Sequence, residues 1–324
     1  MATYVRTQAI DHAIGERGSV ALKVTSGDVR ARAIAGGDAH LRATFEIKAS
    51  SDAEADRIFE AIQLRVQRAD GRLTVEELNG DASLGSVIGR IFGGIGHAGL
   101  TLEAEIPAAA SLNLTGVSSD MEVSGFGGEQ RYRTVSGDLL LSELSGSVQL
   151  ETVSGDATIR ADAPIGLQVQ AVSGDLTVVG PLLQSLQANT VSGDIELEGA
   201  LVPDGDFRVE TVSGDLVFRL VGDATFEIRG LSTDVNSELD HRLEGQTDRR
   251  RLIVGRGGPL LVFSSMSGDV DVRRPRRINV PSPAPQSPAP ASAGARESQL
   301  VVLRALERGE IDVDEATRRL EGGS

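Results

Sequence analysis

Carboxylates recur along this chain at a nearly constant step. Ser-Gly-Asp stands at Ser136-Gly137-Asp138, Ser154-Gly155-Asp156, Ser173-Gly174-Asp175, Ser192-Gly193-Asp194, Ser213-Gly214-Asp215 and Ser267-Gly268-Asp269. Degenerate copies lie at Ser118-Ser119-Asp120 and Ser232-Thr233-Asp234, and an outlying copy at Ser26-Gly27-Asp28. If each repeat is one layer of a stack, Asp120, Asp138, Asp156, Asp175, Asp194, Asp215 and Asp234 form a column. Layers about 4.8 Å apart bring neighbouring carboxylates to a separation where they repel by roughly 1 kcal/mol in water. Calcium held between the carboxylates would offset that repulsion, and so would hydrogen bonds from backbone N–H groups of the corner. The corner residues favour the second answer, because Gly tolerates positive φ while Ser and Asp accept from their own turn's N–H groups. The nine-residue Gly-Gly-x-Gly-x-Asp calcium repeat is absent. The column is therefore read as structural, and no catalytic, cofactor-binding or metal residue is assigned.

Other chemistry finds little footing. His12, His40, His97 and His241 are far apart and lack ligand spacing. There is no Cys, which removes thiolate metal sites and cysteine catalysis. The glycine-rich stretch lacks the Gly-Lys-Ser/Thr ending of a phosphate loop, and no Gly-x-Ser-x-Gly elbow occurs. Aromatics make up 3% with no Trp, which argues against a base- or sugar-stacking surface. The net charge is −15, and residues 111–273 carry 25 acidic against 12 basic side chains. Such a surface repels nucleic acid and anionic lipid, so no nucleic-acid partner is expected. The first 20 residues have no apolar signal region and no stretch is long and apolar enough to span a bilayer, so the default location is cytoplasmic.

The elements that would carry the column are legible in the same repeats. Units of 12 residues begin at Leu112, Gln130, Val148, Leu167, Leu186, Phe207, Phe226 and Leu261, with successive starts 18, 18, 19, 19, 21 and 19 apart up to Phe226. Period-two alternation puts Val148, Leu150 and Thr152 on one face and Gln149 and Glu151 on the other, then resumes after the corner with Ala157 and Ile159 inside. The fifth position is small (Thr134, Thr152, Ala171, Thr190, Thr211, Gly230), as a narrowing corner requires. Each coil supplies two short strands, and stacked coils pair them in parallel without hairpins. The fold class is mainly β, a right-handed parallel β-solenoid (β-helix or β-roll) of about 18–21-residue coils with a small C-terminal helical hairpin.

Four segments follow. Residues 1–110 form a strand and helix lead-in that caps the solenoid of residues 111–273. Within it Val20, Leu22, Val24, Val29 and Ala31 match the unit, and Ser51 with Glu54 reads as a capping box before Ala55, Ile58, Phe59 and Ile62. Leu64 to Val75 read as a hairpin about Asp70-Gly71. Residues 84–100 carry Leu84, Val87, Ile88, Ile91, Phe92 and Ile95 at helical spacing among glycines, read as a cap or loop, with membrane contact as the alternative. Residues 274–297 are a Pro-rich linker. In residues 298–322, Leu300, Leu303 and Leu306 form a stripe, Gly309 breaks it, and Asp312 with Glu315 caps a second helix bearing Val313, Ala316 and Leu320.

The Val-Ser-Gly-Asp repeats over residues 112–272, preceded by Leu102-Glu103-Ala104-Glu105-Ile106-Pro107, resemble the bacterial "putative adhesin" family of β-strand-repeat proteins. The tail, Leu303 to Ile311 with Asp314-Glu315-Ala316, resembles the short helical hairpins (SHOCT-like) found beside such repeats. The resemblance implies a β-solenoid, no established catalytic residues, and in some members an association with the cell envelope and its stress responses. The resulting expectation is a non-catalytic scaffold or binding protein. Its outer ladder of Gln168, Gln170, Gln187, Asn189, Arg208 and Glu210 offers a long surface, and residues 298–322 mediate protein partnership or self-association. The alternatives are a polysaccharide-acting β-helix enzyme and a calcium-binding adhesin-like surface protein.

Overall fold

The computed structural model describes residues 2–79, 99–246 and 249–276. The apolar segment 84–98 and the chain from residue 277, which holds most of the expected linker and the expected helical hairpin, lie outside the described residues. The described chain up to Pro275 forms one compact unit. Its core is a continuous column of Val, Leu, Ile and Phe, in which Val148, Leu150, Ile159, Leu167, Val178, Leu186 and Phe218 are all buried.

Parallel pairing runs coil on coil, with Tyr132 beside Leu150, Leu150 beside Val169 and Val169 beside Ala188. The connectors differ from the expected pair of short strands per coil. Strands Leu139–Ser154, Ala157–Ala171 and Leu176–Ser192 run from one corner to the next. They bend at register shifts such as Leu141/Leu144 and Leu144/Gly146. The connector within Ala157–Ala171 lies between the connectors of Leu139–Ser154 and Leu176–Ser192 and pairs on through the bend, so it needs no loop to satisfy its backbone.

The order of coils also departs from the order of the chain. Leu260–Ser267 pairs on one side with Phe207–Ser213 and on the other with Ala224–Ser232. The last repeat is thereby inserted beneath the one before it, and Asp269 stands between Asp215 and Asp234. Residues 235–260 make this exchange possible by supplying an antiparallel cover: Arg249–Val254 pairs with Ala224–Ser232, and His241–Gln246 pairs with Arg249–Val254. At the opposite end Ser19–Ser26 pairs with both Ser111–Ser118 and Arg72–Asn79. The chain on either side of Ser19–Ser26 folds over that end as antiparallel strands Ala2–Ala13, Asp38–Ala49 and Ile62–Ala69. The hairpin-free expectation holds for the stacked coils and fails within the last part of residues 111–273, where His241–Gln246 and Arg249–Val254 are antiparallel; at the other end the antiparallel cover includes the expected hairpin at Asp70-Gly71.

The helix Asp52–Ala61 starts where the sequence places it, with Ser51 Oγ accepting from Glu54 N at 3.3 Å. Glu54 reaches back to Ser50 N at 2.7 Å, and Ala55 and Phe59 are buried. The hairpin turns at Asp70-Gly71, with Gly71 at φ 65°.

At the corners glycine is demanded twice. Gly155 has φ 118°, and a Cβ there would lie 2.2 Å from Gly137 O. Gly174, Gly193 and Gly214 repeat the contact one coil at a time. In the two degenerate coils small and large residues trade places. Gly116 and Gly230 occupy the fifth position, and the buried Ser119 and Thr233 stand where the others have Gly. A Cβ on Gly230 would sit 2.1 Å from Thr233 Oγ1, so the hydroxyl side chain fills the space that the fifth residue gives up.

Candidate binding face and the aspartate ladder

The corners resolve the repulsion of the carboxylate column. Asp138 N donates to Asp120 Oδ1 at 2.9 Å, Asp156 N to Asp138 at 3.0 Å, Asp175 N to Asp156 at 2.9 Å, Asp194 N to Asp175 at 2.8 Å and Asp215 N to Asp194 at 2.9 Å. Asp269 N then donates to Asp215 Oδ1 at 2.8 Å, and Asp234 N to Asp269 Oδ1 at 2.7 Å. The acceptor's partner is thus the next coil's N–H, where the sequence suggested a bond within the same turn. A cross-coil bond follows from glycine's position, which brings successive corners within backbone contact. The return bonds also run between coils, with Met121 N on Asp138 O and Leu139 N on Asp156 O, both 2.9 Å. Thr134, Thr152 and Thr190 complete the corner by donating Oγ1 to the carbonyls of Ser136, Ser154 and Ser192. The Asp28 corner stacks on the Asp120 corner through the same return bond, Val29 N on Asp120 O at 2.9 Å, and its carboxylate lies 3.9 Å from Arg30.

The histidines have local partners. His40 Nδ1 lies 2.7 Å from Asp11 Oδ1, and that hydrogen bond raises its pKa. His12 Nε2 contacts Ala69 O at 2.8 Å and His241 Nδ1 contacts Leu239 O at 2.9 Å. His97 lies outside the described residues. Among the described residues no three His, Asp or Glu side chains are grouped as metal ligands.

The outward side of the strands that precede each corner presents a different surface. Gln149, Gln168 and Gln187 stand side by side in register, as do Glu151, Gln170 and Asn189. Arg208 and Glu210 continue the two rows beyond Gln187 and Asn189. Next to them runs a third row, the residue before each corner tripeptide: Val135, Val153, Val172, Val191 and Val212, each 45–48% exposed, with Val117 and Met266 extending it. Period two alone places this sixth position outward, which is the signal that would have found it.

Charge on this face is unlike the rest of the chain. Its outward positions hold Lys23, Arg131, Arg133, Arg208 and Arg229 against Glu151, Glu210 and Glu227. Several are tied in place: Arg133 grips Glu151 through Nε at 2.7 Å and Nη2 at 2.9 Å, and Arg131 Nε donates to Gln149 at 2.9 Å. Two grooves open here, one of about 580 Å³ lined by Ala21, Arg72, Asn113, Arg131 and Gln149. The other, about 540 Å³, is lined by Asn189, Glu210, Val212, Arg229, Ser264 and Met266. The arrangement suits hydrogen bonding to an extended partner along several coils.

A family model for Toastrack DUF4097 matches residues 19–198, more than half of the chain and most of this stack. The chain belongs to the Toastrack DUF4097 family. Its ladder of Ser-Gly-Asp corners from Gly27 to Gly193 falls within that match. No curated protein matches the chain. Among solved structures it is similar to a "putative adhesin" from Bacteroides fragilis, 13% identical, covering 82% of this chain and 97% of that one, with a TM-score of 0.44. A "putative lipid binding protein" from Parabacteroides distasonis is 10% identical over 82% of this chain and 96% of its own, with a TM-score of 0.34. Among the described residues no helix is long and apolar enough to cross a membrane.

Proposed function

We propose that this Toastrack DUF4097 protein is a non-catalytic binding scaffold of the bacterial envelope. It offers the outward face of its pre-corner strands to an extended partner and uses residues 298–322 for assembly with proteins or with itself. The observation that carries the reading is the in-register row of Gln168, Gln170, Gln187 and Asn189 beside an exposed valine ridge, on a weakly basic face of an acidic chain. Amide side chains offer donors and acceptors together and need no deprotonation to bind. The enzyme alternative fits less well, because Arg133 already engages Glu151 through two hydrogen bonds. A calcium column also fits less well, because Oδ1 of every ladder Asp from Asp120 to Asp269 already accepts an N–H.

Comparison of the full chain with one ending at Pro275 tests the division of labour. The shortened chain is expected to lose self-association or protein partners and to keep ligand binding by the solenoid. If it keeps every partner, or if the full chain cleaves acidic glycans, the reading fails.

A further inference from the structure

Where the valine ridge ends, two arginines face each other with too little negative charge between them. The antiparallel register places Arg229 directly opposite Arg249 and Glu227 opposite Arg251. Like charges directly opposite on a sheet are destabilising unless something bridges them. Glu227, whose side chain is only 7% exposed, does so from one side: Arg229 Nε and Arg249 Nη2 both donate at 2.8 Å to the same oxygen, Oε1. Arg251 Nη2 lies 4.0 Å from Oε2. One carboxylate thus faces three guanidiniums, which stay 52–66% exposed. Arg229 beside Glu227 holds that carboxyl below the usual carboxylate range, so it stays ionised and keeps the arginines in place.

The flanking positions extend the donor row. Ser264 is in register with Arg229 and Gln246 with Arg249. Among the described residues the other acids in register on this face are Glu244, opposite Arg251, and Glu210, one strand beyond Ser264. Arg229 also lines the groove of about 540 Å³ that runs back toward Asn189 and Val212.

We infer that Arg229 and Arg249, braced by Glu227, form a binding site for an oxyanion, a phosphate or carboxylate group free or carried on a polymer. Arginine suits such groups because its planar fork gives two parallel hydrogen bonds. The inference goes beyond the proposed binding role and stands apart from it, since the arginines bind an anion whether or not the amide ladder binds a partner.

Calorimetric titration of the full chain with inorganic phosphate at constant ionic strength tests the site, and a polyphosphate arm distinguishes free from polymer-borne anion. Saturable phosphate binding should weaken at least about tenfold in Arg249→Gln and in Arg229→Gln, the loss of a charge-assisted pair of bonds. Arg65→Gln, at the other end of the solenoid, should leave it unchanged. Much tighter binding of polyphosphate, lost in the same variants, would assign the polymer-borne source; equal affinity would assign the free ion. Arg249→Lys retains charge without the fork and guards against loss of fold; it should fall between wild type and Arg249→Gln. Absence of saturable binding to both probes, or equal binding by wild type and Arg249→Gln, overturns the site.

Discussion

Gly174→Ala separates two demands that the corner makes on its glycine. Gly174 sits at φ 115°, and a Cβ there would meet Gly155 O at 2.2 Å and Gly155 C at 2.8 Å. A non-glycine residue held in that backbone region costs on the order of 1–3 kcal/mol. Ordinary carbon contact needs about 3.5 Å, so the corner must also open by roughly 1 Å. That opening stretches Asp175 N to Asp156 Oδ1 and Ala157 N to Asp175 O, both 2.9 Å, at about 1 kcal/mol for each bond weakened. The summed cost is about 3–5 kcal/mol. Gly36→Ala is the control, because Gly36 has φ 106° and nothing within 4 Å of its Cβ position. It should cost only the conformational part. Urea denaturation of both variants reads the difference, expected at about 2 kcal/mol with unchanged slope. Equal losses would show that close coil approach plays no part in selecting glycine.

The aspartate ladder gives a second test. Asp175→Asn keeps the acceptor for Asp194 N and removes a charge from the column, so stability should hold or rise, whereas Asp175→Ala should lose up to about 1 kcal/mol. Calcium against chelator should move the melting midpoint of either chain by no more than about 1 °C. Glu227 supplies the pH test. Its folded pKa is lowered from 4.5, so its contribution is complete above that value and disappears as pH falls through the lower folded one. Acid denaturation should be shallower below pH 4.5 in Glu227→Gln than in wild type, and parallel curves would contradict the arginine cluster. Tyr132→Phe should cost about 1 kcal/mol by leaving Gln130 Oε1 without its 3.0 Å donor in a fully buried site. A neutral result would mean that water reaches Gln130.

The inward side of the fold was legible because period two leaves no freedom. Once Val148 and Leu150 face in, Gln149 faces out, and every coil repeats the choice. The corner glycine was legible for its φ but not for the close approach of Gly137 O, which only stacking creates. Coil order was hidden because Ser-Gly-Asp at Asp269 fits any layer. Thr233 in a glycine position marks its coil as atypical, but Ser119 shows the same exchange inside the stack, so the mark alone decides nothing. The arginine cluster leaves no mark in the sequence because Glu227 and Arg249 meet only when Arg249–Val254 pairs back on Ala224–Ser232. The valine ridge is visible in parity, but each Val also reads as part of the turn, and the turn reading hides the row.

The most direct measurement compares co-sedimentation of the full chain and a Gln168→Ala/Gln170→Ala/Gln187→Ala/Asn189→Ala variant with a purified bacterial cell-envelope fraction, with melting recorded for both. The account predicts matching melting curves, binding by the wild type that the variant loses, and no release of sugar fragments. Equal binding by the two chains, or wild-type binding accompanied by fragment release, would contradict it.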